Sequence, residues 1–319
     1  MWRDTKWAVL LVLVTSISCN LFSSEDSTPE IPGKLVYSAP DKNGRYQIYT
    51  SLTNGSKRKQ LTKFKNDEAF YPSWSNDGSQ IAFTTTLRST SLGSSLYLMN
   101  ADGTNIRPLK ELPDSDLVIS GTNPKWSPDD SKITYSWCSN CELGGRNHEV
   151  YVYKFKNSSV AQITENPASD IGASWANEYL FFLSNRPYYN SENRELDNDL
   201  YQVNEDGTNL IRITTSGKIG TGIWDPNTET YLIRSKVEPY EWYSVEPLSG
   251  DTLEKKILDI EINISDLRPI KWSKDGQTLM LLMIDFPVQK IRFYDFKEEK
   301  LSESFEIENL LGFDWIQNY

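Results

Sequence analysis

Apolar residues fall in short runs along the chain, broken at close intervals by Asn, Asp, Gly, Ser and Pro. No segment sustains helical spacing between capping signals. The runs have strand length: Ile81-Ala-Phe83, Leu279-Met-Leu-Leu-Met283, and Tyr-bearing stretches such as Leu96-Tyr-Leu-Met99, Val150-Tyr-Val-Tyr153 and Leu200-Tyr-Gln-Val203. Between them lie Asn100-Ala-Asp-Gly-Thr-Asn105 and Asn204-Glu-Asp-Gly-Thr-Asn209. Asp-Gly supplies the positive φ that tight hairpins need. The pattern predicts an all-β chain of short antiparallel strands.

The pattern also repeats. Tyr71-Pro-Ser-Trp-Ser-Asn-Asp-Gly78 returns as Asn123-Pro-Lys-Trp-Ser-Pro-Asp-Asp130 and as Arg268-Pro-Ile-Lys-Trp-Ser-Lys-Asp-Gly276. Looser copies are Gly172-Ala-Ser-Trp175, Gly222-Ile-Trp224 and Gly312-Phe-Asp-Trp315. The anchoring tryptophans are 52, 49, 49, 48 and 43 residues apart. Each unit reads as a Trp strand, an apolar strand, a Tyr strand and a short fourth strand ending at Gln60-Leu-Thr62, Gln162-Ile-Thr164 or Arg212-Ile-Thr214. Four short strands per ~40–50 residues is the signature of a propeller blade.

These residues resemble the TolB-type β-propeller repeat, a Pro-x-Trp-Ser-Pro-Asp-Gly strand followed by a Tyr-x-Met-Asn-x-Asp-Gly hairpin. The resemblance covers 32–319 and implies one domain, a six-bladed propeller with four-stranded blades, without TolB's separate α/β domain. The first unit lacks its Trp strand and the chain ends on a surplus one, so 312–319 is expected to complete blade one and close the ring. Asp67 and Glu68 match an acidic position of the family near the channel mouth, where structural hydrogen bonding is expected.

Composition narrows the function. In 319 residues the net charge is −11, which argues against nucleic acid or anionic lipid as a partner, since both need a basic face. One His leaves no multi-His metal centre, and no metal or other cofactor is expected. There is no Gly-x-Ser-x-Gly elbow, and the conspicuous aspartates sit in repeated turns. No catalytic residue is assigned; a propeller hydrolase or lyase stays as a third reading.

Residues 1–18 read as an export signal: Arg3 and Lys6 precede an apolar run of eight, Trp7–Val14, too short to span a bilayer. Ile17-Ser-Cys19 resembles a bacterial lipobox, which implies lipidation of Cys19 and, with Asn20 following, an outer-membrane lipoprotein. Residues 19–31 are expected to be a flexible tether.

Candidate binding residues come from loop length. The connections 84–95, 136–149 and 184–199, between second and third strands of blades two to four, are long, whereas 235–241 and 285–290 are short. Loops longer than structure needs tend to carry function. These contain Arg88, Trp137, Arg146, His148, Arg186, Tyr188, Tyr189 and Arg194, the Arg and aromatic types favoured at protein interfaces. The alternative is that the arginines pair with Glu192, Glu195 and Asp197. Cys138 and Cys141 form a Cys-x-x-Cys for which a disulfide, a metal site with His148 and a redox centre all stand open; the disulfide is the expected state for an exported protein. The chain is therefore expected to be a monomeric, non-catalytic envelope platform that binds protein partners, with glycan or small-ligand binding at the channel mouth as the alternative.

Overall fold

The computed structural model describes residues 31–86, 94–109, 123–138, 147–188, 197–236, 241–247, 253–255, 267–285, 288–302 and 305–317. Six antiparallel sheets form the blades of a ring. Blade one runs outward as Phe313–Ile316, Lys34–Pro40, Tyr46–Leu52 and Lys59–Gln60. Blade two is Glu68–Trp74, Gln80–Thr86, Ser94–Asn100 and Arg107–Pro108. Blade three is Lys125–Trp126, Lys132–Cys138, His148–Lys154 and Ser159–Gln162. Blade four is Asp170–Ala176, Tyr179–Ser184, Asp199–Asn204 and Ile211–Arg212. Blade five is Ile219–Asp225, Thr230–Ser235, Trp242–Val245 and Leu253–Lys255. Blade six is Leu267–Trp272, Thr278–Asp285, Val288–Asp295 and Lys300–Leu301, with Phe305–Glu308 added against its third strand.

The closure expected from the chain ends is present. Phe313–Ile316 pairs with the second strand of blade one, Lys34 opposite Ile316 and Tyr37 opposite Phe313. Trp315 is fully buried, packing edge-on against Phe293 of blade six.

The core is divided among the seams between blades. Leu35 and Tyr37 pack toward Met280 and Phe293 of blade six, while Val36 and Ile48 pack toward Trp74 and Phe83 of blade two. Both faces of each blade are thus covered, which is why second strands read as continuous apolar runs and not as polar/apolar alternation. Two indoles stitch neighbouring blades: Trp126 Nε1 donates to the Ser73 carbonyl and Trp175 Nε1 to the Lys125 carbonyl, each at 3.1 Å.

The recurrent Thr after the fourth strand has a mechanical role. Thr62 Oγ1 accepts from Ile48 N–H at 2.8 Å and donates to Gln47 at 2.9 Å. Thr164 does the same with Val150 N–H and Glu149, and Thr214 with Leu200 N–H and Asp199. Each Thr folds the chain leaving the rim back onto the start of the third strand, satisfying a buried backbone donor.

Candidate ligand site in the central channel

The residue just before each anchoring tryptophan occupies one position of the repeat. In blade order these residues are Asp314, Ser73, Lys125, Ser174, Ile223 and Lys271. All six line one cavity at the ring centre, about 540 Å³ in volume, within the ~300–1,000 Å³ usual for small-molecule sites. Strand alternation points each of these residues away from the seam that its Trp joins, while Trp74, Trp126, Trp175, Trp224 and Trp272 also border the cavity.

The innermost strands are bent where they meet the cavity. Register slips between Phe70 and Ser73 in blade two and between Ile171 and Ser174 in blade four. The first bulged residue is Gly172 at φ 67 in blade four but Tyr71 at φ 51 in blade two. A bulky side chain in the left-handed region is strained, and Tyr71 lines the cavity. A Cβ on Gly312 would come within 2.6 Å of the Tyr71 backbone, so blade one needs glycine there.

The cavity is cationic on an acidic protein. Asp314 is 1% exposed and its carboxylate is fully engaged. It accepts from Ser73 Oγ at 3.2 Å, Trp74 N–H at 2.8 Å and Trp315 N–H at 2.8 Å, and pairs with Lys271 Nζ at 3.0 Å. Lys125 lies three blades from Lys271, across the ring. Its ammonium makes no hydrogen bond or ion pair among the described residues, and burial pushes its pKa below the ordinary lysine value; Asp314 opposes that shift and Lys271 adds to it. Arg268, exposed, adds a further cation to the lining. Sequence reading missed this set, although the position before each Trp was there to be compared between repeats.

The loop residues singled out by sequence have other placements. Trp137, expected to face a partner, is instead 5% exposed in the seam between blades two and three, tilted against Tyr151 at 5.0 Å. Strand alternation, not loop position, decides this: Trp137 belongs to the second strand. Arg186 pairs with buried Asp170 through Nε at 3.3 Å and Nη2 at 2.5 Å, and lies over Phe182 and Tyr201. Tyr188 O–H donates to Asp199 at 3.1 Å, and Arg212 bridges the same pair. Among the described residues Arg186 and Tyr188 thus bond the strand-end aspartates Asp170 and Asp199; Glu192 and Glu195 lie outside the described residues. His148 sits opposite Cys138 in register, its Nδ1 3.2 Å from Ser169 Oγ. Glu68 is buried and accepts from Tyr46 N–H at 3.2 Å, a structural bond between blades. Cys19, Arg88, Cys141, Arg146, Tyr189, Arg194 and the side chain of Cys138 lie outside the described residues. Among the described residues no group of three His, Cys, Asp or Glu is placed to hold a metal ion.

No protein-family model matches the chain, and no curated protein matches it. Among solved structures it is similar to TolB from Acinetobacter baumannii, at 14% identity and TM-score 0.63 over 90% of this chain and 67% of that one. It is also similar to oligogalacturonate lyase from Vibrio parahaemolyticus, at 15% identity and TM-score 0.57 over 85% of this chain and 73% of that one. A third neighbour is the nidogen/laminin complex, at 10% identity and TM-score 0.60 over 89% and 97%. At these identities the likeness is one of architecture: the chain is a six-bladed β-propeller with the fold seen in TolB.

Proposed function

We propose that this chain is a non-catalytic binding propeller of the cell envelope, an assembly platform that holds a protein partner on one face of the ring. The observation that carries this reading is the distribution of connection lengths. Between second and third strands, blades two, three and four span Thr86 to Ser94, Cys138 to His148 and Ser184 to Asp199. The same connections in blades one, five and six span Pro40 to Tyr46, Ser235 to Trp242 and Asp285 to Val288. Three consecutive blades thus carry the longer connections on one face of a closed ring, as an interface on a rigid scaffold requires.

Two further points favour binding over catalysis. Asp77, Asp129 and Asp275 accept bonds from Ser75, Ser127 and Ser273 in the repeated turns, so these carboxylates are committed to local structure. The TolB and nidogen/laminin likenesses fit a platform, whereas the lyase likeness is what keeps an enzyme reading in view. The envelope setting rests on the export signal 1–18, lipidation of Cys19 and the tether 19–31, and the oxidising compartment would join Cys138 to Cys141.

The test replaces 140–145 and 189–196 with short Gly/Ser linkers in the mature chain and measures crosslinking to envelope proteins. Saturable capture by the parent and its loss in the trimmed protein, at unchanged Tm, is the expected result. Capture that persists at parental affinity after both loops are trimmed places the interface elsewhere.

A further inference from the structure

The channel cations have no role in holding a partner on the loop face, and their arrangement points to a ligand of their own. We infer that the central channel is a binding site for a small carboxylate, seated between Lys125 of blade three and the blade-six strand that carries Lys271 and Arg268.

An unpaired ammonium inside a protein is costly. A charge taken out of water is retained only where a counter-charge or hydrogen-bond acceptors compensate it. Lys271 has its compensation in Asp314, 3.0 Å away. That aspartate is further held by two backbone N–H groups and the Ser73 hydroxyl, so its valence is spent within the wall. Lys125 is only partly exposed, has no acceptor among the described residues, and faces a second lysine across the ring. Lys125, Lys271, Lys274 and Arg268 against Asp314 leave the lining with a net charge of +3, on a chain whose total is −11. A structural lysine would be better placed at the surface, where most of the other lysines stand. An anion entering the channel supplies what Lys125 lacks.

The remaining lining narrows the class. Ser174 adds a hydroxyl that can donate to a carboxylate. Asn123, two residues before Lys125 on the same wall, has a buried amide oxygen without a hydrogen-bond partner, an acceptor that suits a hydroxyl on the acid and not its carboxylate. Around them stand indole and aliphatic surfaces from Trp175, Ile223 and Ile270. A cationic anchor, a few polar groups and apolar walls in about 540 Å³ suit a small organic acid with a carbon skeleton. A bare inorganic anion would leave the apolar walls unused.

The experiment is calorimetric titration of the mature protein with succinate, with succinamide as the neutral counterpart and inorganic phosphate as the anion without a carbon skeleton. Saturable succinate binding, at least tenfold weaker in Lys125→Met and undetectable for succinamide, is the expected result. Lys125→Met keeps the side-chain length and removes a desolvated charge, so its Tm should equal or exceed the parent's. Lys125→Gln serves as the second variant should Met not yield folded protein. Equal succinate affinity in parent and variant, absence of saturable binding, or phosphate binding as tight as succinate each overturns the assignment. The loop-trimmed protein must retain succinate binding, which separates this site from the loop-face interface: either can fail alone.

Discussion

At the scale of single residues, the repeat uses one polar device with interchangeable chemistry. The partner of the clasping threonine is Gln47 in blade one, Glu149 in blade three and Asp199 in blade four. Replacing Thr164 by Val strands the Val150 N–H and removes one of two donors to a Glu149 oxygen that keeps its bond from Asn166 Nδ2 at 3.2 Å. Each buried group left unpaired costs about 1–3 kcal/mol, so urea unfolding of Thr164→Val should show a loss of that order; an unchanged midpoint would deny the clasp its role. Glu149 carries a second consequence. Burial raises its carboxyl from 4.5 to about 7, against the lowering effect of bonds from Thr164 and Asn166. The folded protein then holds a proton that the unfolded chain releases. The stability this group contributes is complete below about 4.5 and lost as pH rises through about 7. Tm of the parent should fall between about pH 5 and pH 8. Glu149→Gln, which copies the residue of blade one, should flatten that fall, and an identical slope in both proteins would assign the titration to another group.

At the scale of elements, the last strand is the fastening. Removing 312–319 takes away four paired positions, the fully buried Trp315 and the Asp314 bonds to blade two. Loss of a buried Trp alone costs about 3–5 kcal/mol, a large part of the ~5–15 kcal/mol that holds a typical domain. The truncated chain should lose its cooperative melting transition; a parental Tm would show that blade one stands without its inner strand. This element was legible from sequence because it repeats the Trp strand that, in blades two, three and six, runs into a Ser-x-Asp turn, a local signal bonded within five residues, as Ser75 is to Asp77 and Gln80. The channel was not legible in the same way. The position before each Trp holds Ser, Lys, Ser, Ile, Lys and Asp, and no motif records a property that exists only when six blades face one axis. Trp137 shows the same limit: its loop-adjacent position concealed an inward-facing strand register, and Arg186 bonds Asp170, sixteen residues away in sequence, at the end of the sheet.

At the scale of the molecule, closure organises both the charge and the ends of the chain. The ring gathers Lys125, Lys271 and Arg268 around its axis while the total charge stays at −11, so the negative charge lies mainly outside the channel. The envelope reading has its own check: metabolic labelling with a lipid precursor should mark the parent and leave Cys19→Ala unmarked, and equal label in both would remove the anchor. Lys34 pairs with Ile316, so the chain enters and leaves the described ring beside each other, at the end of blade one where the other blades make their first-to-second turns. The long connections of blades two to four belong to the opposite face. A lipid on Cys19 would therefore pull on the disc from its short-turn face and leave the mouth of the long-loop face unobstructed by the tether, which is long enough, at ~3.3–3.6 Å per residue, for the disc to turn.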